Sequence, residues 1–146
     1  MRQKGFTLIE LLVVIGILTL LLLITLVAVN PARQFAQSNN TRRQSDVSNI
    51  LSAINQYTVD HKGVLPTGMN ATVKIISKAN LDLCSSLVPT YIAALPVDPL
   101  TNGGAAVSDC TSNYNTNYQV VAGPSTRITV SAPATELGVS TIAVTR

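Results

Sequence analysis

Charge is scarce in this sequence. Only 12% of the residues are Asp, Glu, Lys or Arg, about half the share that soluble domains usually carry. Aromatic residues make up 4%, Trp is absent, and there are one His and two Cys. Each shortage excludes something. Low charge with a mean hydropathy of +0.35 excludes a disordered chain, which needs many charges and few apolar groups. His61 has no Cys or His at metal-ligand spacing around it. There is no G-x-S-x-G, P-loop or dinucleotide fingerprint, so no enzyme is expected. The net charge of +3 falls to +1 without residues 1–5, because Arg2 and Lys4 lie there. Residues 60–146 carry five basic and five acidic side chains, which gives no field to attract DNA or RNA, and no nucleic-acid partner is expected.

What the chain does have is one long apolar run. Residues 6–29 hold 19 apolar residues of 24, the exceptions being Thr7, Glu10, Gly16, Thr19 and Thr25. As a helix the run would be about 36 Å long, enough to cross a bilayer. A cleavable secretory signal does not fit, since its apolar core is about 7–15 residues and ends at a small-residue site. An ordinary signal anchor fits the length. It leaves Glu10 unexplained, because a carboxylate within a spanning helix costs up to about 3 kcal/mol. At the start of the run, that cost is partly avoided and the positive end of the helix dipole lies close by.

The residues around Glu10 discriminate further. Met-Arg-Gln-Lys-Gly, then Phe6, then Thr-Leu-Ile-Glu-Leu and a long aliphatic stretch resemble the N-terminus of the type IV pilin and pseudopilin family. The resemblance implies a leader at residues 1–5, cleavage between Gly5 and Phe6 by a prepilin peptidase, and methylation of the new Phe6 amine. It also implies an assembly role for Glu10: in a filament core an unpaired carboxylate would be costly, and the Phe6 amine of a neighbouring subunit would offset that cost. The expected partners are copies of the chain itself, the peptidase, the membrane and a pilus assembly platform.

Beyond residue 29, Asn30 and Pro31 predict a kink or break. Residues 37–45 are wholly polar. Val47, Ile50, Leu51, Ile54 and Tyr57 then recur at helical spacing and predict an amphipathic continuation that Gly63 and Pro66 stop. On this helix Arg42 and Arg43 read as solvated charges or as partners of Asp46. Residues 70–95 read as short helical turns and loops. Alternation at Tyr114, Thr116, Tyr118 and Val120, at Ile128, Val130 and Ala132, and at Ile142 and Val144 predicts three strands. The expected fold is α+β, a long N-terminal helical spine packed on a small antiparallel sheet. The expected divisions are a leader at 1–5, a transmembrane or filament-core helix at 6–29, its amphipathic continuation at 30–62 and an exported domain at 63–146.

Residues 52–66 and the stretch Leu-Pro-Val-Asp-Pro-Leu-Thr-Asn-Gly at 95–103 resemble the major pseudopilin of type II secretion as well as related pilins. In that pseudopilin the stretch leads to a calcium loop, for which Asp98, Asn102 and Asp109 are the candidate oxygen ligands here. Asp-Pro and Asn-Gly-Gly also form turns unaided, and no other cofactor is expected. In an exported domain Cys84 and Cys110 are expected to pair, as in the disulfide-closed region of many pilins, with two reduced buried thiols as the alternative. The expected function is a structural pilus subunit, anchored in the membrane and then carried in an extracellular fibre. A periplasmic or envelope pseudopilus subunit is the alternative, and a tip adhesin or DNA receptor ranks behind both.

Overall fold

In the computed structural model the described residues are 5–124 and 127–146. The leader residues Arg2 and Lys4 lie outside them. The chain divides into two compact units, Met1–Phe35 and Ala36–Arg146.

The first unit is built on helix α1, Leu8–Val29, in which no residue is buried. Its apolar side chains have no partner within the unit, as a segment made for lipid or for neighbouring helices requires. At 22 residues it is long enough to cross a membrane. The helix ends where the sequence predicts a break. Asn30 adopts a left-handed φ of 44°. Its side-chain oxygen accepts a hydrogen bond from the Arg33 amide at 3.3 Å, so the residue that closes α1 also caps the next helix. Pro31 occupies that helix's first position, where its missing N–H costs nothing.

Helix α2, Pro31–Asp60, enters the second unit and supplies one wall of its core. Val47, Ile50, Leu51, Ala53 and Ile54 are buried at helical spacing. They pack against a four-stranded antiparallel sheet in sequential order: β1 Lys74–Ser77, β2 Asn115–Ala122, β3 Ile128–Ala132 and β4 Ile142–Thr145. In β2 Thr116, Tyr118, Val120 and Ala122 face inward, the period-two pattern of a half-buried strand. The α+β architecture and three strands therefore follow the sequence pattern. β1 corrects it: it lies in a stretch read as turns and loops. It is four residues long, pairs with β2 across more than thirty residues of chain, and carries a register shift between Ile75 and Ser77. With adjacent isoleucines and its two buried residues side by side, β1 displays no alternation.

Between β1 and β2 a short helix α3, Cys84–Leu87, starts at the disulfide that joins Cys84 to Cys110. Their Cα atoms are 5.4 Å apart, within the ordinary range for a bridge. A polar clasp holds both ends. Lys78 Nζ donates to the Asp82 carboxylate at 2.7 Å and to the Cys110 carbonyl at 2.8 Å, and Asp82 accepts from the Cys84 amide at 3.1 Å. Burial would raise the Asp82 carboxyl, but hydrogen bonds from Lys78 and Tyr114 outweigh it and hold it below the ordinary range. Closing 26 residues of separation stabilises the fold by about 3.5 kcal/mol on chain-entropy grounds. Cys110→Ser is expected to cost about that amount. Urea unfolding with and without reductant checks it: reductant should destabilise the wild type and leave the variant unmoved.

Candidate assembly site

The N-terminal junction is built by a helix start. Gly5 and Phe6 precede α1 in exposed chain outside any regular element. Phe6 is 79% exposed, so both the bond after Gly5 and the ring beyond it are accessible. Thr7 is the N-cap, and its hydroxyl oxygen accepts from the Glu10 amide at 3.3 Å. The same hydroxyl donates to the Glu10 carboxylate at 3.5 Å. Thr-x-x-Glu is the capping-box spacing, a helix-start signal present in the sequence itself. Glu10 thus sits in the first turn, where the unpaired amides of the helix start favour a negative charge. It is the one acidic residue in α1, on a helix whose every other side chain is apolar, Gly or Thr. Thr19 turns its hydroxyl onto the Ile15 carbonyl and Thr25 onto the Leu22 carbonyl, so both satisfy themselves within the helix. Among the described residues no cation pairs with the Glu10 carboxylate.

The second unit contains a buried ionic clamp. The sequence places Arg43 among solvated charges, and the structure overturns this: its side chain is fully buried. Arg43 lies four residues before Val47 and seven before Ile50, so it extends the apolar face by one turn. All three guanidinium nitrogens are engaged. Nε donates to Asp98 at 2.7 Å and Nη2 to the other Asp98 oxygen at 3.2 Å. Nη1 donates to Glu136 at 2.8 Å and to Asn40 at 2.9 Å. The hydrogen bond to Asp98 raises the guanidinium above its ordinary value against the effect of burial. The Arg43 bond, aided by Asn39, lowers the Glu136 carboxyl. Beside the clamp, Tyr118 donates to Asp46 at 2.7 Å, and burial pushes both groups up. Arg42 does pair with Asp46, at 3.8 Å, and also reaches the Gly104 carbonyl.

The clamp engages one of the three calcium candidates. Asp98 is 1% exposed and both its oxygens are taken by Arg43. Asn102 is exposed, in a 3₁₀ turn with φ 49°. Asp109 is also exposed and accepts from the Thr111 hydroxyl and amide and from the Ser112 hydroxyl, which lowers its carboxyl to about 2. Among the described residues no group of three or more His, Cys, Asp or Glu side chains is placed to hold a metal ion. His61 stacks on Tyr57 with ring centroids 3.9 Å apart and caps its helix end.

The comparisons with known proteins agree with the N-terminal geometry. The family model described as "Prokaryotic N-terminal methylation motif" matches residues 1–26. A "ComG operon protein 3 homolog" from Bacillus licheniformis is 35% identical over 81 residues, which is 56% of this chain and 81% of the relative. No solved structure matches. With an exposed Gly-Phe junction, a capped helix carrying a single carboxylate, and a relative aligned over most of its own length, the chain belongs to the type IV pilin and pseudopilin family, whose mark is the prokaryotic N-terminal methylation motif.

Proposed function

We propose that the chain is the structural subunit of a type IV pilus. It is made as a membrane-anchored precursor, cut between Gly5 and Phe6 by a prepilin peptidase and methylated on the Phe6 amine. Subunits then leave the bilayer and polymerise through their α1 helices. The observation that carries this reading is α1 itself: 22 residues, none buried, with one carboxylate in the first turn beside the cleavage junction. Inside a bundle of such helices that carboxylate needs a cation, and the charged amine of a neighbouring Phe6 is the nearest that each added copy brings. The pairing fixes axial register because only one stagger satisfies both charges. The alternative is a type II secretion-like pseudopilin, favoured by the likeness at residues 95–103.

The test is to shear fibres from cells, separate them from membranes and determine the N-terminus by mass spectrometry. Fibre protein beginning at Phe6 with one added methyl group is the expected result. Protein that begins at Met1 and stays in membranes refutes it. Processed protein that never reaches the cell surface assigns the chain to the pseudopilus.

A further inference from the structure

The sequence holds the tripeptide Asn-x-Thr twice, at residues 39–41 and 70–72, and neither copy takes part in the assembly proposed above. This is the acceptor pattern for a glycan on asparagine, with a hydroxyl two residues on and no proline between. So short a pattern recurs by chance. Its meaning depends on whether the asparagine nitrogen lies in an exposed loop, where bulk can be attached without cost to the fold. The structure separates the two copies on that point.

Asn39 is closed to modification. It lies within α2 and is half-buried. Its Nδ2 donates to the Glu136 carboxylate at 2.9 Å, onto the same oxygen that Arg43 holds at 2.8 Å. A sugar on that nitrogen would stand between α2 and the carboxylate, at the edge of the buried clamp.

Asn70 is open. It lies between α2 and β1 outside any regular element, and residues 70–73 are all exposed. Its side-chain oxygen accepts from the Thr72 amide at 3.0 Å. That bond brings the two defining residues of the pattern round one bend. It uses the oxygen and leaves the nitrogen, the atom that would carry a sugar, unspent. The loop is nonetheless held in place. The Ala122 amide donates to the Asn70 carbonyl at 2.9 Å, and Lys74 Nζ to the Gly68 carbonyl at 2.8 Å. Both bonds fall on main-chain carbonyls of the loop, so neither draws on the Asn70 side chain. Val73, next along, is 55% exposed, and a sugar on Asn70 would set hydrated bulk beside it.

We infer that Asn70 is a glycan acceptor, modified once the second unit has been exported. The donor is an oligosaccharide carried on a polyprenyl phosphate or diphosphate. The bond from Nδ2 to the anomeric carbon forms as the bond from that carbon to the carrier phosphate breaks. The phosphate oxygen keeps the electron pair, and the amide gives up one proton. Donor and acceptor are both tethered to the membrane, the donor by its lipid and the chain by α1, which raises their effective concentration. The inference rests on the export that the proposed function requires and adds to it a modification of the exported unit.

Mass spectrometry of the chain purified from its own cells, from fibres and from membranes, tests this. Trypsin places the two patterns in separate peptides, 34–42 and 63–74. Peptide 63–74 is expected to carry added sugar residues, and peptide 34–42 none. Asn70→Gln and Thr72→Val are expected to lose the addition and Thr72→Ser to keep it; both positions are exposed, so the variants leave the core untouched. A bare 63–74 peptide in fibre protein that begins at Phe6 overturns the site and leaves the filament reading standing. Sugar that survives in Asn70→Gln also overturns it, since it then sits on another side chain. Modified protein that still begins at Met1 upholds the site and counts against the pilus subunit. Bare protein that begins at Met1 overturns both.

Discussion

Replacing Glu10 by Gln is expected to abolish fibre assembly while leaving the subunit inserted in the membrane and folded. The choice of Gln matters. The Thr7 hydroxyl caps the Glu10 amide and donates to the Glu10 carboxylate, and a Gln carbonyl can accept the same side-chain bond. Glu10→Ala would remove that side-chain bond and the charge together; Glu10→Gln removes the charge alone. In the helical bundle proposed above the loss would leave the neighbouring Phe6 amine unpaired, and breaking a buried ion pair from one side costs about 3–5 kcal/mol. At each subunit contact that is a factor of at least ~100 in affinity, and it repeats along the filament. The measurement is the ratio of sheared fibre protein to membrane protein for wild type, Glu10→Gln and Glu10→Asp. A Gln variant that assembles at the wild-type level would show that the carboxylate acts through capping alone. Asp keeps the charge on a shorter stem and should assemble poorly but detectably.

Much of the first unit was legible in the sequence because composition suffices for it. A run of 24 residues with 19 apolar needs no tertiary information to be read as a lone apolar helix. Its break was legible too, since Asn30 and Pro31 act locally. In the second unit, β2, β3 and β4 announced themselves by alternation, and the core face of α2 by helical spacing. β1 did not, because four residues with two adjacent isoleucines show no period, and its status as a strand comes from β2. Arg43 escaped for another reason. A charged side chain on a helix is ordinarily solvated, and nothing local distinguishes Arg43 from Arg42 next to it. The distinguishing information was phase: Arg43 shares the face of Val47 and Ile50, whereas Arg42 lies beside it. Its partners Asp98 and Glu136 are 55 and 93 residues away in sequence, beyond the reach of any spacing rule. Asp98, read as a turn former or a calcium ligand, is the same lesson seen from the other end of the ion pair.

Arg43→Ala is expected to be the most destabilising single change in the second unit outside its apolar core. The deletion leaves Asp98, 1% exposed, with a buried charge and no cation, and removing one side of such a pair costs about 3–5 kcal/mol. For a domain of this size that corresponds to a fall in melting temperature of at least ~10 °C. Arg43→Lys should recover little, because one ammonium cannot replace a planar fork that engages Asp98 through two nitrogens and Glu136 and Asn40 through the third. The paired change Arg43→Met with Asp98→Asn removes both charges and should be markedly more stable than the sum of the single changes predicts, since it strands neither. Acid provides an independent check. The Glu136 carboxyl is lowered by Arg43, so its contribution is complete above its unfolded value and is lost as the pH falls through the lowered folded value. Asp46 is raised by burial and works in the opposite sense, its protonation on acidification favouring the fold. Loss of Arg43 should therefore flatten the acid limb that Glu136 contributes and leave the Asp46 contribution in place. Thermal unfolding of the detergent-solubilised chain between pH 3 and 7, wild type against Arg43→Ala, measures both. Equal melting temperatures, or parallel acid limbs, would mean that the clamp contributes geometry without stability.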